Sequence, residues 1–385
     1  MSAGSGAGHT EQRCFGRARA AMVATGLTLG MRMLLAAVGI LGVLAGCGGD
    51  DGGAAPGRTF RMGFSAFPPS PDPSRAVAAL TMWLGRADAA IFHDSPPWTA
   101  LLAGGSADSL AHVQFDQLVG IYRSRGLKVV ITIDATNPVD RTSEAEALTA
   151  AGRSIAEPAV QQLFRAWAVA VARVAQPDYL GLAAETNLIR YGSPRPVYDA
   201  VVTMTNAAAA DVRAVRSSQA LYVSVQVDLA WGRLQGSNQY IGIATDLQDF
   251  PFVTVLGLSS YPYLAGFPEP SEMPDEWYRR LGERPGMPSL PLLVTEGGWS
   301  SANVPGVVSS PAKQERWIRR QSALLDAAGA LYVFQLQFTD IDLAAFGLAD
   351  DPRLIPFART GLVDTLLAPK PSLAVWDSIF ALPLE

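Results

Sequence analysis

The segment Pro291-Leu-Leu-Val-Thr-Glu296-Gly-Gly-Trp299 decides the fold of this chain. Its residues are apolar at successive positions until Glu296 interrupts them. The segment 127–134, which reads LKVVITID, has the same character. A strand with one face in water would alternate apolar and polar residues, whereas a strand of a buried parallel sheet is apolar on both faces. Both segments therefore indicate strands that lie between two packed layers.

Six further runs of this kind follow one another along the chain, and longer segments with helical periodicity separate them. The eight predicted strands are 60–65, 89–93, 128–134, 179–185, 221–227, 253–260, 291–296 and 331–337. The clearest helical segments, 159–175, 197–215 and 311–328, carry apolar residues at intervals of three and four. Eight alternating units predict an α/β fold, the (β/α)8 or TIM barrel.

An open doubly wound sheet is the alternative fold. That fold usually carries a glycine-rich phosphate-binding turn after its first strand, and no such turn follows residue 65. No repeat and no change of composition suggests a second domain, so we expect residues 59–385 to form one barrel. A typical barrel of about 250 residues with loop insertions accounts for that length.

Composition narrows the function further. The 385 residues are 49% hydrophobic and 17% charged, with a formal net charge of -5, so no basic field favours nucleic acid or an anionic membrane surface. Walker, Gly-x-Ser-x-Gly and His-Glu-x-x-His motifs are absent. Only His93 and His112 follow the leader, too few for a zinc site of several His or Cys ligands. We expect no metal and no cofactor, although oxygen ligands for calcium remain an open alternative.

The N-terminal region carries an export signal. Arg32 precedes the apolar run 34–44, and the run ends in Leu44-Ala45-Gly46-Cys47. These four residues resemble the lipobox of bacterial lipoprotein precursors, which implies cleavage before Cys47 and lipidation of its sulfur. The expected organisation is an extension with a signal peptide (1–46) and a flexible tether (47–58), and the protein is expected to be exported and lipid-anchored to a membrane. A transmembrane anchor is the alternative, which Arg32 disfavours.

Two of the predicted strands end in glutamate, at Glu185 and Glu296. Reactive groups of a (β/α)8 barrel lie at the C-terminal ends of its strands, where the loops enclose the open cavity. A carboxylate that closes an apolar strand is costly unless it is used, because burial disfavours its charge. Glycoside hydrolysis uses two such groups, one protonated and one ionised. Salt-bridged structural glutamates are the alternative.

With this order of glutamates, the chain resembles the clan A glycoside hydrolases over roughly residues 60–380. The resemblance implies that Glu185 is the acid/base, that Glu296 is the nucleophile and that the anomeric configuration is retained. It also implies that Tyr261, in Leu-Ser-Ser-Tyr261-Pro-Tyr, hydrogen-bonds the nucleophile. This run and Val-Thr-Glu296-Gly-Gly-Trp are most similar to the arabinogalactan endo-β-1,4-galactanase family. The ending with Trp376 resembles the helix that closes such barrels.

Two positions depart from the clan pattern. Ala184 stands where the clan places an asparagine that holds the sugar 2-hydroxyl, and Asn187 is the candidate replacement. On strand eight, Gln335 and Gln337 stand where an aromatic platform is common. The departures put rate and substrate preference in doubt, and Gln337 joins the candidate sugar ligands.

Other polar and aromatic residues that follow the strands are candidate sugar ligands. Each has an alternative role in loop structure or packing. The polar candidates are His93, Asp94, Asp134, Gln226 and Asp228, and the candidate stacking platforms are Trp231 and Trp299.

The leading hypothesis is a retaining β-glycosidase that hydrolyses an oligo- or polysaccharide resembling β-galactan or β-mannan. Two alternatives remain, a catalytically impaired barrel that binds glycan on the cell surface and a scaffold without a ligand. The sequence does not indicate an oligomeric state.

Overall fold

The computed structural model describes residues 57–385, which form a barrel of parallel strands surrounded by helices. The leader, the lipobox with Cys47 and nearly all of the tether lie outside the described residues. The strands are β1 (Arg61–Ser65), β2 (Ala89–Asp94), β3 (Lys128–Ile133), β4 (Tyr179–Gly181), β5 (Ala220–Tyr222), β6 (Ser224–Gln226), β7 (Leu256–Ser260), β8 (Leu292–Gly297) and β9 (Tyr332–Gln335).

The strands β5 and β6 are two halves of one run, interrupted only at Val223. β5 pairs with β4, whereas β6 pairs with β7 on the other side. Beyond these ladders, Ser224 N donates to Ala183 O at 3.0 Å and Gly257 N donates to Val223 O at 3.0 Å. The run therefore contacts both neighbours and closes the ring. With β5 and β6 counted as one strand, the described chain forms the eight-stranded barrel that the sequence predicts.

The helices cover the outside of this ring. They are Pro73–Leu84, Trp98–Leu102, Ala107–Ser124, Glu146–Ala150, Pro158–Val174, Thr186–Gly192, Arg195–Val215, Val227–Ala230, Ala244–Asp249, Arg279–Gly282, Pro311–Ala328 and Pro371–Phe380. In Pro158–Val174 the buried residues include Val160, Phe164, Trp167 and Val171, so one stripe faces the sheet. Within residues 57–385, no helix is both long enough and apolar enough to cross a membrane.

The helix Pro371–Phe380 closes the barrel at its end, as the resemblance implied. The Trp376 ring packs against the Phe64 ring with 4.6 Å between centroids, and its Nε1 donates to the carbonyl of Arg86 at 2.9 Å. Asp377 forms an ion pair with Arg86 at 3.0 Å. The last helix is therefore fixed to the first strand and to the start of the second unit.

Large aromatic rings fill the interior of the barrel, and glycines on the neighbouring strands make room for them. The Tyr222 ring is buried, and its hydroxyl lies 2.6 Å from Thr132 Oγ1. A Cβ on Gly181 of β4 would lie 2.6 Å from this ring, and a Cβ on Gly257 of β7 would lie 2.9 Å from it. Both glycines are therefore required by packing.

Gly181→Ala should destabilise the barrel by about 2 kcal/mol, because its methyl group overlaps the Tyr222 ring in a closely packed interior. Gly120→Ala is the matched control, since Gly120 lies on the exposed face of helix Ala107–Ser124 with no neighbouring atom in the way. It should stabilise the protein by about 0.5–1 kcal/mol through helix propensity. Denaturant unfolding measures both. Equal effects of the two substitutions would contradict the packing argument.

Candidate active site

Glu185 and Glu296 meet at the C-terminal end of the barrel. Both are nearly buried, with 8% and 7% of their surface exposed. Ser259 on β7 stands between them, with its Oγ 2.7 Å from Glu185 Oε1 and 2.8 Å from Glu296 Oε1. The two Oε1 atoms are therefore at most about 5.5 Å apart, the two contacts laid end to end. Retaining glycosidases hold their carboxyl groups about 5–5.5 Å apart, and inverting ones hold them farther apart.

Ser259 has a single hydroxyl hydrogen and can donate it to one carboxylate only. The other carboxyl group makes a hydrogen bond at this distance when it carries a proton and donates to the serine oxygen. The geometry thus favours one proton on the glutamate pair, with one member neutral and the other ionised. This is the pair of protonation states that glycoside hydrolysis requires.

Arg141, in the loop after β3, balances part of the negative charge. Its Nε donates to Glu185 Oε2 at 3.1 Å, and its Nη1 lies 3.0 Å from Asp134 Oδ1. Burial opposes the charge of Arg141, but the carboxylates of Asp134, Glu185 and Glu296 outweigh burial and raise its pKa. Three carboxyl groups thus surround one guanidinium. Retention of a proton by one of them reduces the unbalanced charge.

Burial raises the pKa of both glutamates above the ordinary range. For Glu185, the charge of Glu296 raises the pKa further, while Arg141 lowers it. For Glu296, Arg141 and the hydrogen bond from Ser259 oppose the effect of burial. The charge of either glutamate raises the pKa of the other, so the pair titrates as a unit that holds one proton.

The backbone of Glu185 is left-handed, with φ 51° and ψ 48°. Its N–H donates to Ser224 Oγ at 2.9 Å, and helix Thr186–Gly192 begins at the next residue. Non-glycine residues seldom occupy this region, and such strain concentrates at functional sites. The predicted strand 179–185 is therefore wrong at its end, because the β4 ladder stops at Gly181 and the chain turns to aim Glu185 across the barrel.

His93 lies beside Glu296 in a neutral state. Its Nε2 donates to the carbonyl of Thr295 at 3.0 Å, and its Nδ1 lies 3.7 Å from Glu296 Oε2. Burial lowers the pKa of His93, so this contact is not an ion pair at neutral pH. With the hydrogen on Nε2, the buried Nδ1 is an acceptor, and no group in residues 57–385 donates to it. His93 is not among the residues that line the cavity, so its role as a sugar ligand stays a prediction.

Asp134 and Asp94 lie near the glutamates but are not among the residues that line the cavity. Asp134 reaches the site through its ion pair with Arg141. Asp94 accepts a hydrogen bond from Gln114 and, since burial is the largest cause, its pKa is raised to about 7. Asp94 is outside the cavity wall.

Tyr261, Gln226 and Gln337 line the cavity together with both glutamates. The hydrogen bond that the resemblance assigned to Tyr261 is made by Ser259, which donates toward Glu296. Gln226 is mostly occupied, since its Oε1 accepts from Leu229 N and its Nε2 donates to Asp228. Gln337 Nε2 donates to the carbonyl of Phe357, and its buried Oε1 receives no hydrogen bond from the described residues.

Two polar candidates are wrong as direct sugar ligands, because backbone groups hold them away from the cavity. Asn187 makes two hydrogen bonds of 2.8 Å with the backbone of Gln226 and does not replace the clan asparagine. Asp228 accepts from Tyr261 N at 3.0 Å and from Gln226 Nε2, so it fixes the start of the loop after β7.

The structure brings neither candidate tryptophan platform to the wall of the cavity. Trp299 is buried between the Tyr263 and Trp317 rings, and its Nε1 donates to Ser309 Oγ. Trp231 stacks on Trp277 at 5.2 Å, and its Nε1 donates to the carbonyl of Trp277. Each indole packs against other aromatic rings and donates its N–H to a neighbouring group, and neither one lines the cavity.

The cavity at the glutamates has a volume of about 390 Å³. Sequence reasoning missed several residues that form it or support it. Phe67 and Phe357 belong to its wall, and Arg141 and Ser259 organise the carboxyl groups. Ser259 could have been found from its place in Leu-Ser-Ser-Tyr261, two residues before the candidate tyrosine. Among residues 57–385, no group of three or more His, Cys, Asp or Glu side chains is arranged to hold a metal ion.

The comparisons with known proteins bear on the fold. No protein-family model and no curated protein matches the chain. Among solved structures, it resembles the exo-beta-1,4-mannosidase Op5Man5 from Opitutaceae bacterium strain TAV5, with a TM-score of 0.57 at 14% identity over 84% of this chain and 59% of that one. It also resembles beta-glucuronidase 2 of Bacteroides uniformis, with a TM-score of 0.54 at 14% identity over 84% of this chain and 35% of that one.

A third similar structure is the beta-D-glucuronidase of Dictyoglomus thermophilum, with a TM-score of 0.53 at 10% identity over 85% of this chain and 51% of that one. These neighbours are clan A glycoside hydrolases. The chain spans about a third to three fifths of their length. The predicted barrel is thereby confirmed, and its likeness to clan A barrels is one of fold.

Asp94→Asn should stabilise the protein above about pH 7 and have little effect near pH 4. A carboxyl group whose pKa is raised from 3.8 to about 7 on folding costs the protein stability as the pH rises from about 4 to about 7, and the cost is constant above that. The expected gain at about pH 8.5 is on the order of 4 kcal/mol, the full effect of raising the pKa from 3.8 to about 7. Unfolding across this pH range measures it, with the exposed Asp350→Asn as control. A gain independent of pH would contradict the assignment.

Proposed function

We propose that this protein is a retaining β-glycosidase, with Glu296 as nucleophile and Glu185 as acid/base. The observation that carries the proposal is the contact of both carboxyl groups with the single hydroxyl of Ser259, which keeps their Oε1 atoms no farther apart than about 5.5 Å and so excludes the wider spacing of inverting enzymes. Burial and the charge of Glu296 raise the pKa of Glu185 and support its protonated state, and they outweigh the opposing ion pair of Glu185 with Arg141.

In the first step, a Glu296 carboxylate oxygen attacks the anomeric carbon and the bond from that carbon to the glycosidic oxygen breaks. Glu185 transfers its proton to the departing oxygen, which leaves as an alcohol. In the second step, Glu185 takes a proton from water while the water oxygen attacks the anomeric carbon and releases Glu296. The sugar then leaves with its original configuration.

Two features of the cavity argue against the polysaccharide substrate that the sequence predicts. Long glycan clefts commonly use aromatic platforms, and Trp231 and Trp299 are both packed away from this cavity. Ala184 leaves the usual ligand of the sugar 2-hydroxyl missing, and Asn187 does not supply it. We therefore propose hydrolysis of β-glycosides as a class, with β-galactan and β-mannan among the substrates to test.

The missing asparagine favours a second candidate function, a barrel that binds glycan without cleaving it. Both candidates predict binding at the same cavity. They differ in whether the glutamates are needed for turnover or only for shape.

Glu185→Gln and Glu296→Gln should each lower kcat/KM on aryl β-glycosides by at least 10²- to 10⁴-fold, the usual effect of losing an acid/base group. For Glu185→Gln the loss should shrink with phenols that leave without protonation. Hydrolysis of a panel of aryl β-glycosides, β-galactan and β-mannan measures this, and proton NMR identifies the first anomer released.

The matched control is Glu272→Gln, because Glu272 is exposed and far along the chain from both glutamates. It should keep the activity of the parent protein. Equal activity in all variants would exclude the proposed roles. Binding of sugars by a protein that hydrolyses none of the panel would support the second candidate.

Ser259→Ala should narrow the pH profile of kcat/KM. Loss of the donor raises the pKa of Glu296 and moves the acidic limb to higher pH, whereas loss of the acceptor for the Glu185 proton moves the basic limb lower. Ser260→Ala is the control, since its hydroxyl faces the other way and accepts from Trp277 Nε1. A reduced rate with an unchanged profile would show that Ser259 acts through packing alone.

A further inference from the structure

The cavity at the glutamate pair has an apolar wall that the proposed chemistry does not use. Among its lining residues are seven leucines and Ile341, contributed by several different loops. Leu188 follows β4, Leu234 follows β6 and Leu264 follows β7. Sugar hydroxyls placed against such a wall would lose their hydrogen bonds to water without replacement, which is unfavourable.

Much of this wall comes from one segment, residues 341–358, which we call the roof. Leu343, Leu348 and Ala358 form a hydrophobic cluster separate from the barrel core, with other apolar residues of the roof packed against it. The roof is fixed at several points. Asp342 N donates to Pro69 O at 2.8 Å, and Tyr263 Oη donates to Pro356 O at 2.9 Å.

The polar side chains of the roof and of the loop opposite make hydrogen bonds within their own segments. Arg353 pairs with Asp351 at 3.1 Å. Asp140 accepts from the hydroxyl groups of Thr142 and Ser143. These contacts use part of the hydrogen-bonding capacity of the cavity wall.

The groups available to a sugar are concentrated at the bottom of the cavity. They include the two glutamates, Arg141 and the unpartnered Oε1 of Gln337. This set is sufficient for one sugar ring at the carboxyl pair. The remaining volume is bounded by aliphatic side chains.

The apolar wall begins on the side of the acid. Leu188 belongs to the helix that begins directly after Glu185, and both residues line the cavity. Val139 lines the cavity two residues before Arg141, which binds Glu185. The acid donates its proton to the leaving oxygen, so its neighbours contact the leaving group.

We propose that the substrate is a β-glycoside of an apolar alcohol, in which one sugar occupies the glutamate pair and an aliphatic leaving group occupies the leucine wall beneath the roof. This rests on the proposed glycosidase function and specifies its substrate class. The bond broken is the one between the anomeric carbon and the oxygen of that alcohol, which leaves with the proton from Glu185.

The test is the rate of cleavage of n-alkyl β-glucosides, β-galactosides and β-mannosides from methyl to octyl, below their micelle-forming concentrations. For the sugar that is cleaved, kcat/KM should rise by up to about fourfold for each added methylene until the wall is covered. A flat series, or faster cleavage of a disaccharide than of the octyl glycoside of the same sugar, would overturn the proposal.

Leu354→Gln should reduce this dependence on chain length, because Leu354 belongs to the wall. Leu366→Gln is the control, since Leu366 is 70% exposed and outside the cavity lining, and it should keep the full dependence. A dependence unchanged in Leu354→Gln would contradict the placement of the leaving group.

Failure of the function and failure of the substrate class give different results. Cleavage of short and long alkyl glycosides at equal rates keeps the glycosidase and removes the apolar leaving group. If no glycoside is cleaved, the glycosidase fails, and calorimetric titration with the same alkyl series still tests the wall. Affinity that rises with the length of the alkyl chain supports binding of that chain at the leucine wall, and equal affinity across the series refutes it.

Discussion

One serine hydroxyl placed between two buried carboxyl groups is the constraint on which this site depends. Burial of charge is costly, and three carboxyl groups around Arg141 would be unstable if all were ionised. Ser259 and Arg141 reduce this cost in different ways. The serine makes it favourable for the pair to hold one proton, and the guanidinium compensates a charge that remains.

The barrel supplies the rigidity that this arrangement needs. Glu185 and Glu296 come from opposite parts of the ring, and their separation is set by strands fixed on both sides by hydrogen bonds. The strained backbone of Glu185 persists because Ser224 holds its N–H and helix Thr186–Gly192 starts directly after it. Packing of the interior, with Gly181 and Gly257 against Tyr222, keeps these strands at the required distance.

The fold and the meeting of the two glutamates at one end of the barrel could be predicted because both follow from local patterns. Runs that are apolar on both faces mark barrel strands, and a glutamate at the end of such a run stands out. The role of Arg141 could not be predicted, because its contact with Glu185 joins residues of different loops and no sequence pattern marks this contact. Trp299 and Trp231 misled for a related reason, because an indole suits a sugar face and a loop core equally well, and only the packing shows which one it meets.

The roof is held to the rest of the chain by hydrogen bonds near its two ends, at Asp342 and Pro356, and its interior is a small hydrophobic cluster of its own. A segment with its own cluster can open locally while the strands beneath it remain closed. Its amides should therefore exchange with solvent through sub-global openings, on a faster timescale than those of the barrel. Such openings would let a molecule held in the cavity leave while the floor of the cavity stays rigid.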